Sequence, residues 1–341
     1  YTVPDVLNDG TIPASPGAIT FLTGGVNGSP SPFSIADYWI WKFANGLDDD
    51  YSAWQHMRST GTIYAGEGYT MKGPGTGTIL TPQNYVFEGK PNNGDIALTI
   101  SAGNDYLVGN PYASAIDAHE FITDNPDSSG TLYFWEHWGG GSHVLWEYQG
   151  GYALYNYSGG IPTASYGTND PDVATGGTPT KLPGRYIPVS QGFFVYSPGG
   201  GTITFENDQR VFEKEGATSV FVRTANSEAN QPINYNEDTR MKFRIGFNST
   251  NTIHRQLLLT VDENATNGYD WGYDGRLNSV QIDDMFWMLE GEKYGIQGTN
   301  EVTAESVFPL GIHARDDGLN SIQIDHLENV TDHVEIYFRF N

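Results

Sequence analysis

The sequence predicts an all-β protein of tandem β-sandwich, jelly-roll-like domains with one short helix. Turn-forming residues are abundant, with 42 glycines and 18 prolines among 341 residues, and aromatic residues, which favour strands, make up 13%. Extended helical periodicity of apolar residues is not evident along the sequence. At about 100–200 residues per domain, a chain of this length is expected to form two domains.

Residues 1–32 are dominated by Pro, Gly, Ser and Asn, which predicts an extended leader on the surface. One apolar run within it, residues 18–22, predicts an edge strand. Residues 38–43 follow as a strand with aromatic side chains on both faces. The acidic run at residues 48–50 is interpreted as a loop that is either a solvated charge run or a weak cation site.

Residues 66–79 are similar to residues 190–203, which indicates an internal duplication at a spacing of about 124 residues. Each copy has a glycine at a strand entrance, a short apolar run, a Pro-Gly-rich turn and a second strand, and so predicts a β-hairpin. A lone hairpin is marginally stable in water. We therefore expect the two copies to pair their apolar faces within one duplicated domain, residues 33–223.

A short helix is predicted between the two copies. The triplet Gly-Asn-Pro at residues 109–111 predicts a turn, because proline restricts the residue before it to extended conformations. Residues 114–121 then have helical spacing. Ile116 and Phe121 can share one face of the helix, and Ser114 is placed to cap its first turn.

Residues 224–239 are polar and predict a linker to a second β-sandwich domain at residues 240–341. Apolar and polar residues alternate at residues 241–247, as expected of a half-buried strand. Further strands are predicted at residues 254–261, 321–324 and 334–340.

Charge and composition exclude several classes of function. Lys and Arg number 17 against 41 Asp and Glu, a formal net charge of -24, which would repel nucleic acids and anionic membranes. The absence of cysteine excludes disulfides, thiolate metal sites and cysteine nucleophiles. No run approaches the roughly 20 apolar residues of a membrane-spanning helix, so membrane insertion is not expected. The first residue is Tyr1, and we expect any targeting signal to lie outside this sequence.

The densest group of candidate metal ligands lies in residues 262–275, a glycine-containing loop with alternate oxygen ligands suited to calcium. Its spacing does not match the common calcium-loop motif, and the alternative is that these side chains cap their own turns. The predicted ligands are Asp262, Asn264, Asn267, Asp270 and Asp274.

Two histidines, His137 and His143, flank a glycine-rich loop with Glu136 and Glu147 nearby. They are candidates for a metal or acid–base site, or else simple cross-strand neighbours in a hairpin. Motifs with a strong catalytic mechanism, such as a nucleophile elbow, a zinc-protease helix or a phosphate-binding loop, do not occur. The sequence therefore predicts a protein that is not an enzyme.

The segment at residues 139–184 is rich in glycine and tyrosine, a composition typical of recognition surfaces. Exposed aromatic rings of a β-sandwich can stack on sugar rings, although core packing is the alternative for each ring. The predicted ligand-binding residues are Trp138, Trp146, Tyr152 and Tyr155.

Several motifs in order resemble a β-rich module of large secreted, adhesin-like proteins of the Bacteroidota. They span nearly the whole chain, at residues 66–73, 86–94, 106–121, 132–138, 150–156, 190–195, 254–259 and 266–274. Such modules lie ahead of a C-terminal sorting domain read by the type IX secretion system, and the resemblance implies no catalytic residues.

The resemblance implies export by the type IX secretion machinery to the outer cell surface or the extracellular medium. The expected role is adhesion, or that of a structural subunit that assembles with surface partners or with itself. One alternative is a carbohydrate-binding module that takes a polysaccharide on exposed aromatic rings. Another is a glycan-active hydrolase, which requires two converging acids in a cleft.

Overall fold

This computed structural model describes residues 1–12, 14–48, 50–74, 83–139, 149–166, 181–213, 238–330 and 334–339. They form a β-sandwich-like, mostly β-strand fold with several sheets, so the predicted all-β class is confirmed. The helices are α1 (Val3–Val6), α2 (Ala118–Asp124) and the 3₁₀ turns Asp37–Trp39 and Tyr51–Ala53. Within these ranges, no helix is both long enough and apolar enough to span a membrane.

The strands are numbered in chain order. Those of the N-terminal part are β1 (Leu7–Asp9), β2 (Gly17–Ala18), β3 (Thr20–Leu22), β4 (Ser29–Pro30), β5 (Phe33–Ala36), β6 (Trp41–Lys42), β7 (Gly46–Leu47), β8 (Gln55–His56) and β9 (Tyr85–Phe87). Those of the middle part are β10 (Ile96–Ile100), β11 (Asn104–Gly109), β12 (Ala115–Asp117), β13 (Leu132–Gly139), β14 (Gln149–Asn156), β15 (Gly159–Ile161), β16 (Ser165–Tyr166), β17 (Tyr186–Ile187), β18 (Gly192–Ser197), β19 (Gly201–Phe205) and β20 (Arg210–Val211). Those of the C-terminal part are β21 (Lys242–Asn248), β22 (Ile253–Val261), β23 (Gly275–Arg276), β24 (Asp284–Leu289), β25 (Glu292–Thr299), β26 (Leu310–His313) and β27 (Ser321–Glu328).

The central sheet has the strand order β15-β14-β13-β18-β11-β7. Strands β10 and β19 pair with each other in a separate layer. The chain passes from this layer to the central sheet between β10 and β11, and returns to it between β18 and β19. Side chains of both layers, including Val108, Phe193, Ile203 and Phe205, share one buried core.

The predicted hairpin at residues 190–203 is wrong, because its two strands belong to different sheets. Strand β18 pairs with β11 and β13, whereas β19 pairs with β10. Gly200 and Gly201 have φ values of 74° and 147°, which side chains rarely adopt, and they turn the chain from one layer into the other.

Strand β11 lies between the two copies of the repeat. The first copy borders one edge of β11, and β18 of the second copy pairs with the other edge. The backbone N–H of Gly68 donates to the carbonyl oxygen of Leu107 at 2.9 Å, and that of Gly109 donates to Gly66 at 2.9 Å. Residues 75–79 of this copy lie outside the described residues. The duplication itself stays a prediction.

The C-terminal strands form one curled sheet, a half-barrel, with the order β26-β24-β25-β22-β21-β27. The predicted strands at residues 241–247, 254–261 and 321–324 are confirmed as β21, β22 and β27. Alternate side chains of these strands, such as Phe243, Ile245 and Leu257, form the core on one face. The strand predicted at residues 334–340 is wrong, since residues 334–339 are not in a strand.

Most described residues of segment 1–32 are exposed and only a few are buried, so the extended leader stays a prediction. Val3 and Leu7 are buried and share a core with Ile35 and Ile63. The predicted strand at residues 18–22 is present as β2 and β3, which separate at a buried isoleucine and pair with different partners.

The predicted strand at residues 38–43 is also largely wrong. A 3₁₀ turn ends at Trp39, and only Trp41 and Lys42 are in a strand. The two indole rings stabilise this turn, because Trp39 Nε1 donates to the carbonyl oxygen of Val26 and Trp41 Nε1 donates to that of Tyr38.

The predicted helix begins later than expected, at Ala118 instead of near Ser114. Residues 115–117 are strand β12, which pairs with β17 and β20, so tertiary pairing overrides the local helical pattern. The cap is Asp117, whose Oδ1 accepts a hydrogen bond from the backbone of His119 at 2.9 Å. The Ser114 hydroxyl instead accepts a hydrogen bond from Arg210.

The central sheet and the half-barrel contact each other directly. Leu107, Tyr133 and Leu154 of the central sheet share a core with Leu258 and Ile296 of the half-barrel. Strand β16 also pairs with β22. The proposed domain boundaries and linker stay predictions, since residues 214–237 lie outside the described residues.

Candidate functional site

A cleft of about 540 Å³ opens where the central sheet meets the half-barrel. One wall belongs to the N-terminal and middle parts of the chain and includes Asp48, Asp105, Tyr133 and Tyr196. The other wall comes from β23, β25 and the loop after β23, and includes Arg276, Asn278, Ser279, Glu292 and Lys293.

Strand register places the side chains of the first wall. Asp105 on β11 lies directly opposite Tyr196 on β18, and Tyr133 on β13 lies opposite Phe194. Because successive side chains of a strand point to opposite faces, Phe194 and Tyr196 share one face. The cleft therefore has a carboxylate and two phenol rings on adjoining strands.

Tyr133 joins the two walls. Its hydroxyl donates to the carbonyl oxygen of Arg276 at 3.1 Å. Burial, and then the negative charge of Asp105, raise the pKa of Tyr133 far above its ordinary value. The phenol is therefore protonated at neutral pH and remains a hydrogen-bond donor.

The second wall carries two cations. Arg276 Nη2 lies 3.2 Å from Glu292 Oε2, and both side chains are about half exposed, at 47% and 57%. An ion pair this exposed is worth little, so a ligand can compete for the guanidinium at small cost. The ammonium nitrogen of Lys293 lies 4.7 Å from the centre of the Phe286 ring, a cation–π contact.

The loop that forms this wall is anchored by a buried ion pair. Arg255 Nε and Nη2 donate to the two carboxylate oxygens of Asp284 at 2.7 and 2.8 Å. Asp284 also accepts a hydrogen bond from the backbone of Gln281, and Arg255 reaches the carbonyl oxygen of Ser279. The position of Ser279 in the cleft thus depends on a pair that lies outside it.

In the predicted calcium loop, the carboxylates are occupied by donors of the protein. Asp262 accepts hydrogen bonds from the backbone and side chain of Asn264 and forms an ion pair with Arg240 at 2.6 Å. Asp270 accepts hydrogen bonds from the backbone and hydroxyl of Thr266. These contacts favour the turn-capping alternative.

The other two predicted ligands point to different partners. Asn267 Oδ1 accepts a hydrogen bond from Thr299 at 2.7 Å. Asp274, only 1% exposed, accepts hydrogen bonds from the backbone N–H groups of Gly298 and Asp270. Burial raises the pKa of Asp274 to about 7, against the effect of these two hydrogen bonds. Calcium binding by this loop stays a prediction.

A different acidic group was missed by sequence reasoning. Ligand oxygens of Asp124, Glu206 and Asp208 lie within 4.8 Å of one another. Burial, and then the charges of Asp124 and Asp208, raise the pKa of Glu206. Gln209 donates to Asp124 at 2.9 Å, so one carboxylate of the group already has a protein partner.

The prediction that Tyr155 binds a sugar is wrong. It is 5% exposed, belongs to the core between the two layers, and its hydroxyl contacts His119 Nε2 at 3.0 Å. Tyr152 lies on the other face of β14 and is partly buried. The side chain of Trp138, and Trp146 altogether, lie outside the described residues.

Trp135, which is not among the four predicted ligand-binding residues, lies beside Tyr152. Its side chain is 47% exposed, and its ring contacts the Tyr152 ring at a centroid distance of 5.1 Å. The nearby residues Glu136 and His137 point to opposite faces of β13, one buried and one exposed, which does not support a joint site. His143 and Glu147 lie outside the described residues.

Asp48 and Asp50, the described residues of the acidic run at residues 48–50, have different roles. Asp48 lines the cleft. Asp50 caps a 3₁₀ turn, because its Oδ1 accepts hydrogen bonds from the backbone and hydroxyl of Ser52 at 2.9 and 2.6 Å. Asp49 lies outside the described residues.

The family model of a domain of unknown function, DUF8693, matches residues 26–340. The chain belongs to this family. No curated protein and no solved structure shows significant similarity to it. Membership in DUF8693 therefore carries no activity with it, and the function has to be argued from the geometry of the cleft.

In this DUF8693 chain, the cleft was not predictable as a unit. Its walls come from positions as distant as Asp48 and Lys293, which no local motif connects. The available signal was weak: Asp105 and Tyr196 stand next to the apolar runs of β11 and β18.

Proposed function

We propose that this chain is a noncatalytic recognition module that binds a saccharide in the cleft and thereby acts in adhesion. The observation that carries the proposal is the composition of the cleft: the aromatic ring of Tyr196 and two carboxylates on one wall, with Arg276, Lys293 and Glu292 on the other. Its volume of about 540 Å³ falls in the range of small-molecule sites.

A saccharide suits these walls because each hydroxyl group both donates and accepts hydrogen bonds. Asp48 and Asp105 supply acceptors, whereas Arg276, Asn278 and Lys293 supply donors. The face of Tyr196 offers an apolar surface for the C–H groups of a sugar ring. A ligand with only one kind of charge would be complementary to only one wall.

The positions of two carboxyl groups with a raised pKa support a noncatalytic role. A glycoside hydrolase needs an accessible carboxylic acid with a raised pKa as its general acid. Two carboxyl groups with a raised pKa, Glu206 and Asp274, both lie outside the cleft. Asp274 is also buried and accepts two backbone hydrogen bonds. We therefore propose that the cleft binds without hydrolysis.

The proposed setting rests on the resemblance to secreted adhesin-like modules. In this proposal the type IX secretion machinery is the partner during export, and the mature chain works at the outer cell surface or in the medium. The strongly acidic composition, with a net charge of -24, supports solubility there and offers surface positions for calcium.

A structural role in a surface assembly is the second candidate, supported by strand β27. In the described part of the chain it pairs only with β21, at the edge of the half-barrel. Ile324 and Leu327 on it are 48% and 38% exposed. A long edge strand with apolar side chains is a template for strand addition.

If β27 joins two copies, light scattering after size exclusion is expected to show a dimer or larger species at high protein concentration. Ile324→Lys should return the chain to a monomer, since a charged side chain opposes pairing at an edge. Val307→Lys, at an 83% exposed position away from this strand, serves as the control. A wild-type chain that stays monomeric at all concentrations would remove this candidate.

Binding in the cleft is tested by Tyr196→Ala. We expect the wild-type chain to bind defined oligosaccharides on a glycan array and in calorimetry, and the variant to bind at least about tenfold more weakly because the stacking surface is lost. Tyr51→Ala, at a 67% exposed position that does not line the cleft, should bind like the wild type. Equal affinities of Tyr196→Ala and the wild type would contradict the proposal.

A further inference from the structure

We propose that Trp135 is a second, separate binding site, which stacks on a sugar ring of a neutral polysaccharide. Trp135 lies on β13, two residues beyond Tyr133 of the cleft and on the same face of the central sheet. Tyr133, Phe194 and Leu154 of that face are buried under the half-barrel, whereas Trp135 is 47% exposed. The site is thus distinct from the cleft.

The indole ring of Trp135 packs against the neighbouring strand at a position that has no side chain. Gly150 on β14 lies opposite His137, and Trp135 lies opposite Tyr152. A methyl group at Gly150 would lie 2.3 Å from Cζ2 of Trp135 and 2.9 Å from Cε2 and Cη2. The six-membered part of the indole therefore lies over Gly150, in space that any other residue would occupy.

Other rings fix the orientation of Trp135. Tyr152 contacts it edge-on, with centroids 5.1 Å apart and an interplanar angle of 67°. Tyr152 in turn contacts Phe194 at 5.6 Å and 85°, and Phe194 belongs to a buried core. A ring that is already oriented loses little conformational entropy when a ligand binds, which favours affinity.

The chemistry of this surface selects the ligand. An exposed indole face attracts the C–H face of a sugar ring, and a polysaccharide presents that face repeatedly along its length. A net charge of -24 opposes sulfated or uronate-rich chains. Stacking on an indole needs no charge on the ligand, so the proposal commits to a neutral polysaccharide.

The test is native gel electrophoresis of the full chain in gels that contain β-1,3-glucan, xylan or galactomannan. We expect at least one of them to retard the wild type, and Trp135→Ala to weaken that binding at least about tenfold. Gly150→Ala, which keeps the indole but displaces it, should weaken binding as well, and Trp135→Phe should weaken it less. Tyr51→Ala is the matched control and should behave as the wild type.

Thermal unfolding of each variant checks that the fold is kept, and a blue shift of tryptophan fluorescence on binding, lost in Trp135→Ala, gives a readout independent of mobility. Retardation by none of the polysaccharides, or equal retardation of Trp135→Ala and the wild type, would overturn the proposal. The cleft is judged separately, with Tyr196→Ala and short oligosaccharides. Loss of oligosaccharide binding in Tyr196→Ala with unchanged polymer binding in Trp135→Ala would leave the cleft standing and this site refuted.

Discussion

Replacing Asp284 by alanine is expected to lower the free energy of unfolding by about 3–5 kcal/mol. The change leaves the Arg255 guanidinium, only 2% exposed as a side chain, without the carboxylate that accepts two of its hydrogen bonds. It also removes the acceptor for the backbone N–H of Gln281. Urea denaturation followed by circular dichroism measures the loss.

The matched control is Glu292→Ala, which removes the carboxylate of the half-exposed pair with Arg276. That change is expected to cost about 0–1 kcal/mol. Because the Arg255 pair anchors the loop at Ser279, Asp284→Ala should also weaken ligand binding in the cleft. A loss of stability no larger than that of Glu292→Ala would show that the buried pair does not hold this loop.

Phe121→Ala is expected to destabilise the chain by about 3–5 kcal/mol, because the surrounding core cannot collapse fully into the space left by the ring. Phe121 is fully buried on α2 and contacts the rings of Phe193 and Phe205 at centroid distances of 5.3 and 5.1 Å. It thereby joins the helix to both layers. The midpoint of thermal unfolding is the measurement.

Phe87→Ala provides the comparison, since Phe87 is 50% exposed on β9. We expect it to change the unfolding free energy by no more than about 0.5 kcal/mol. If Phe121→Ala were equally mild, α2 would contribute little to the core and would be a peripheral helix.

The sequence correctly predicted strand β21, although the structure buries both faces of this strand instead of one. Apolar and polar residues alternate in β21, and the structure buries Phe243, Ile245 and Phe247 in one core. The same reasoning failed at residues 190–203, because periodicity identifies a strand but not its partner. Gly200 and Gly201 permit a turn between layers as readily as a turn within a hairpin.

Local patterns also failed where distant segments compete for the backbone. Residues 115–117 have helical spacing, yet Ile116 pairs with Ile187 and Arg210, far along the chain. The functional predictions met the same obstacle. Exposure decides whether a tyrosine can bind a ligand; Tyr152 is partly buried and Tyr155 is 5% exposed, and they lie on opposite faces of β14.

The position of β11 has a consequence for the synthesis of the chain. One of its edges is bordered by β7 and residues 66–68, and the other by β18, whose pairing with it joins residues about 90 positions apart. While the chain emerges from the ribosome, the second edge of β11 has no native partner until β18 has been made. Pairing over such distances is slow, and an open strand edge invites association between chains, so nascent chains that end before Gly192 are the ones expected to need a chaperone.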